Sequence, residues 1–81
     1  MSESKIETTK GLCVVALTKC LMGVYGISQD EAYKKLIGME LYGLLMDEDT
    51  RLFLEPNDYL CECCRIECEN GIDALYKYIN Q

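Results

Sequence analysis

Histidine and tryptophan are absent from this chain of 81 residues, proline occurs once, and no basic run exceeds Lys34-Lys35. Each gap excludes something. Without histidine there is no imidazole to act as a base near neutral pH or to complete a mixed cysteine–histidine zinc site. There is also no G-x-S-x-G motif and no glycine loop that would cradle a phosphate. No catalytic set can be assembled from what remains, and the chain reads as a non-enzyme. With 8 basic against 14 acidic residues and a net charge of −6, its field would repel a polyanion, so nucleic acid is not an expected partner.

Long apolar runs are missing as well. The stretch from Gly11 to Ile27 carries Thr18 and Lys19 at its middle and falls short of the ~20 residues a bilayer span needs. Met1 to Lys10 mixes two Glu with two Lys, and no A-x-A cleavage site follows. The expectation is a cytoplasmic protein without a membrane segment.

What is present is apolar: 49% of the residues are hydrophobic, too many for a disordered tail. One domain over residues 1–81, with 1–7 frayed, is the expected organisation. A chain this short buries only about 60% of its unfolded surface, so self-association is a natural extra source of burial.

The spacing predicts a mainly α fold, a small bundle of four to five helices with one short extended segment near 51–55. A first helix from about Thr8 to Tyr25 puts Cys13, Leu17, Cys20, Leu21 and Val24 on a core face. Gly26 stops it, and Ser28-Gln29-Asp30-Glu31 is a capping-box sequence that opens a second helix with Ala32, Tyr33, Leu36 and Ile37 as its stripe. Gly38 is placed to close that helix in the left-handed conformation, and Glu40 to Met46 forms a short separate element. Arg51 to Glu55 reads as a strand or extended segment. Asn57 or Asp58 then caps a fourth helix that Asn70-Gly71 stops, and Ile72 to Tyr78 forms the last.

Four cysteines in eight residues, Cys61-Glu62-Cys63-Cys64-Arg65-Ile66-Glu67-Cys68, are the one chemically suggestive cluster. Cys61, Cys64 and Cys68 share a helix side, and Cys13 or Cys20 could add a fourth sulfur for zinc or for redox sensing. The simpler reading is that reduced cysteine is a small apolar residue and these form an ordinary core stripe. Disulfides are not expected, because Cys63 and Cys64 diverge on a helix and no secretion signal is apparent. Glu62, Glu67 and Glu69 would raise a thiol pKa, which argues against thiol catalysis. Asp47 to Asp58 lacks the glycine and final glutamate of an EF-hand loop.

Two helices are apolar on two sides. Leu12, Val15 and Met22 lie around Lys19 on the outer side of the first, and Tyr59, Cys63 and Ile66 form a second patch on the fourth. Either the last helix covers the Tyr59 patch or a partner does. These six residues are the candidate contacts of a protein-binding module that forms homo-oligomers or serves a neighbouring gene product, with no cofactor.

The run Ser28-x-x-Glu31-Ala32-Tyr33-x-x-Leu36, followed by Gly38 and a short Leu/Tyr turn, resembles a small uncharacterised bacterial domain family. Its members sometimes occur beside genes for ADP-ribosylating, toxin-like proteins. The resemblance leaves out the cysteine-rich segment and carries over no catalytic residue. It implies a bacterial interaction module.

Overall fold

The computed structural model describes residues 3–81, and every regular element in that range is helical. The α-helices are α1 (Glu3–Tyr25), α2 (Gln29–Ile37), α3 (Glu40–Met46), α4 (Asn57–Asn70) and α5 (Ile72–Ile79). Two single 3₁₀ turns, Glu48–Thr50 and Leu52–Leu54, lie between α3 and α4. The bundle of five helices agrees with the sequence pattern, whereas the extended segment at 51–55 does not form.

A strand there would send Leu52 and Phe53 to opposite faces. In the 3₁₀ turn both are buried in the core and Leu54 is exposed, so the segment plugs the bundle with two consecutive side chains. Arg51, at φ 57°, is the left-handed residue that separates the two turns. Thr50 ties the first turn down by donating to the Leu44 carbonyl at 2.6 Å.

Helix α1 already includes Glu3, ahead of the expected start near Thr8, so residues 3–7 are helical; Met1 and Ser2, the rest of the segment expected to fray, lie outside the described residues. Thr8 and Thr9 do not cap. Their hydroxyls donate back to the carbonyls of Ser4 and Lys5 at 3.0 and 2.8 Å, which satisfies them inside a helix. Gly26, at φ 63°, turns the chain, and α2 leaves at 115° to α1. Ser28 caps α2, accepting from the Glu31 N–H at 3.2 Å as the motif predicts, while the Glu31 carboxylate returns to the Ser28 hydroxyl, which donates to it at 3.1 Å, where the motif has the backbone N–H. Gly38 closes α2 in the right-handed region instead of the left-handed one, with its N–H on the carbonyls of Leu36 and Lys35. Pro56 occupies the cap position of α4, and neither Asn57 nor Asp58 supplies a cap side chain. Gly71, at φ 93°, makes the sharp break between α4 and α5.

The core gathers Cys13, Leu17 and Leu21 of α1, Ala32 and Leu36 of α2, Leu41 and Leu45 of α3, and Leu52 and Phe53. Leu60, Cys63 and Cys64 of α4 and Leu75 of α5 complete it. Val24, Tyr33 and Ile37, expected on inner stripes, are exposed: the core face of α1 ends at Leu21, and α2 contributes only Ala32 and Leu36. No single helix among the described residues is long and apolar enough to cross a membrane, although α1 and α2 meet that length and composition together across their bend.

Three contacts beyond the reach of periodicity orient the short elements. Glu67 of α4 accepts from the N–H groups of Glu40 and Leu41, both at 2.8 Å, so a carboxylate from another helix caps α3. Tyr76 of α5 adds a hydroxyl to the Glu40 carboxylate at 3.0 Å, a bond that raises the Tyr76 pKa. Lys10, only 6% exposed, reaches Glu48 at 3.5 Å and Glu7 at 3.8 Å and lies 5.7 Å from the centre of the Phe53 ring. That anchor joins α1 to the two 3₁₀ turns.

Candidate functional site

The outer face of α1 carries Leu12, Val15, Lys19 and Met22 at helical spacing. Leu12 is 65% and Val15 50% exposed, and Met22 is half-buried. The sharp turn at Gly26 sets α2 beside this face and forms a hollow of about 350 Å³. Val14, Val15, Thr18, Lys19 and Met22 line it from α1, and Gln29 and Tyr33 from α2. Tyr33, read from the sequence as a core residue, is 44% exposed and contributes its ring to this groove. Its outward placement follows from the bend angle, which the period of α2 does not encode.

The second predicted patch is mostly used within the chain. Cys63 is fully buried and Tyr59 half-buried, with the Tyr59 ring stacked on Tyr78 of α5 at 5.4 Å and 25°. Cys63 is therefore not a surface contact, because α5 folds back over it after Gly71. Ile66 is half-buried at the edge of this covered region. Of the six candidate contacts, Leu12, Val15 and Met22 remain together on one accessible face.

The cysteines divide into separate environments. Cys20 of α1 and Cys61 of α4 form a disulfide, their Cα atoms 6.1 Å apart. This corrects the expectation that no bridge would form: that expectation considered neighbours on one helix, whereas the bond joins two helices 41 residues apart in sequence. Cys13 turns away and donates its thiol to the Phe53 carbonyl at 3.4 Å. Cys64 contacts the Met39 sulfur at 3.8 Å, and Cys68 is half-buried a turn further along α4.

Zinc thus finds no four-thiolate set, since two of the five candidate sulfurs are bonded to each other and a third faces the 3₁₀ turn. Among the described residues no group of three or more Cys, Asp or Glu is placed to hold a metal. Burial holds the remaining core thiols in the neutral form. It pushes Cys13 up, Cys63 up to about 11 and Cys64 up to about 12, and the neighbouring Cys68 and Glu67 add to the shift of Cys64. Tyr25 is pushed up to about 12 by desolvation and by its hydrogen bond to Cys68.

No protein-family model, curated protein or solved structure matches the chain.

Proposed function

We propose that the protein is a non-enzymatic binding module that associates with a second copy of itself through the outer face of α1 and the adjoining groove of α2. The single observation that carries this reading is the apolar lining of Val14, Val15, Met22 and Tyr33 around one open groove, with Leu12 65% exposed on the same helix whose other side enters the core. An isolated exposed leucine is ordinary; four apolar residues around one hollow favour coverage. The non-enzymatic part is supported by the core thiols of Cys63 and Cys64, which burial holds in the poorly nucleophilic protonated form. A neighbouring gene product using the same face is the accessory version of the proposal, in line with the family that the Ser28 to Leu36 run resembles.

Sedimentation velocity over a range of concentrations tests it. The expected result is a mass that rises with concentration, and a monomer throughout contradicts self-association. Each copy carries −6, so added salt is expected to strengthen the dimer by screening repulsion. A dimer that salt dissolves would point to an ionic interface elsewhere on the molecule.

A further inference from the structure

The chain holds six cysteines, and among the described residues one pair is joined. Four stay as thiols, three of them buried. Chains that mature in a permanently oxidising compartment tend to pair their cysteines. Buried leftover thiols instead fit a chain that meets a reducing pool, where a bridge lasts only while conditions permit. The joined sulfurs are also partly exposed, as is the free Cys68 further along α4, while Cys13, Cys63 and Cys64 lie within the core.

We propose that Cys20–Cys61 is a reversible disulfide that makes the docking of α1 on α4 depend on the surrounding low-molecular-weight thiols. The proposal does not rest on self-association, because a different face of α1 carries it. In the reducing direction a thiolate of the class of glutathione attacks one bridge sulfur. A mixed disulfide forms, and the displaced cysteine leaves as thiolate and takes up a proton. A second glutathione thiolate attacks the mixed disulfide, releasing oxidised glutathione and the second protein thiol. Two electrons enter the protein, and two glutathiones become one disulfide. Oxidation runs the same steps backward.

Cys64 sits one turn from Cys61, within reach of a competing exchange. Its burial keeps it protonated at neutral pH, so the bridge holds its partners instead of shuffling. What changes on reduction is the closure of a loop of 41 residues in a domain too small to hold a large stability reserve.

The experiment equilibrates the folded protein in glutathione buffers from fully reduced to fully oxidised. Samples are then quenched in acid, alkylated under denaturing conditions and read by intact mass and peptide mapping. The expected result is one reversible two-electron transition between six and four alkylated thiols, with Cys20 joined to Cys61 in the oxidised form. The melting temperature of the reduced form should fall by roughly 10–25 °C. Cys20→Ser should melt near the reduced wild type and lose its response to glutathione; if it does not fold, the wild-type titration decides alone. Six thiols at every ratio, a bridge that excess reduced glutathione never opens in the folded protein, a different cysteine pair, or an unchanged melting temperature would each overturn the proposal.

Discussion

Helix α1 has two apolar faces, and the fold treats them differently. Inward, Cys13, Leu17 and Leu21 are buried where α2, α4 and the Leu52–Leu54 turn pack on α1, and Cys20 is bonded to α4. Outward, Leu12 is exposed, and Val15 and Met22 border a groove that α2 leaves open. Composition cannot tell the two apart, since both are made of medium-sized apolar residues at helical spacing. The difference comes from where the chain turns: Gly26 sends α2 off at 115°, and α4 and the Leu52–Leu54 turn come back onto α1. One face therefore contributes stability, and the other is available for association.

Truncating each face should separate these roles. The largest effect is expected for Leu17→Ala, which empties a fully buried site and should cost about 2–5 kcal/mol in a denaturant titration. Next comes Glu67→Ala, which removes the carboxylate that accepts both N–H groups at the start of α3. It should cost about 1–2 kcal/mol, with Glu67→Gln recovering part of the loss. By contrast Leu12→Ala and Val15→Ala should stay within about 0.5 kcal/mol of the wild type in stability while weakening association. Loss of stability as large as that of Leu17→Ala would erase the contrast between the faces.

The helices themselves were legible in the sequence because their signals are local. Gly26, the Ser28 to Glu31 box and Gly71 act within a few residues of where they stand, and the apolar spacing picks out Cys13, Leu17 and Leu21 of α1 and Leu60 and Cys64 of α4 as inner residues. What escaped was long-range or aperiodic. Glu67 looks like one more surface carboxylate until α3 is set against α4, and Cys20 and Cys61 pair across 41 residues. The segment at 51–55 misleads because Leu-Phe-Leu suits a strand as well as a turn that buries its first two side chains. Of the candidate site, the outer face of α1 was readable from Lys19 lying among apolar residues, whereas Tyr33 joined it only through the bend. Cys63 was misassigned to the surface because one helix's spacing cannot show whether α5 folds over it.

Two smaller effects sharpen the picture of the interior. Cys63, Cys64 and Tyr25 bind their protons more tightly folded than unfolded, so the unfolded chain loses protons first as pH rises. Stability from these groups should be complete below about pH 9 and decline between about 9 and 12. Thermal melts across that range check it, and a rise in stability there would contradict the burial of the thiols. Arg51→Gly should be the mildest change, a gain of at most about 1 kcal/mol from relief of a left-handed arginine, offset by the added freedom of glycine when unfolded.

The most direct test is sedimentation velocity of the wild type beside a Leu12→Glu/Val15→Glu double variant, with thermal melts of both. The account predicts a concentration-dependent dimer for the wild type and a monomer with a nearly unchanged melt for the variant. A wild type that remains monomeric at every concentration, or a variant that dimerises as before, would contradict it.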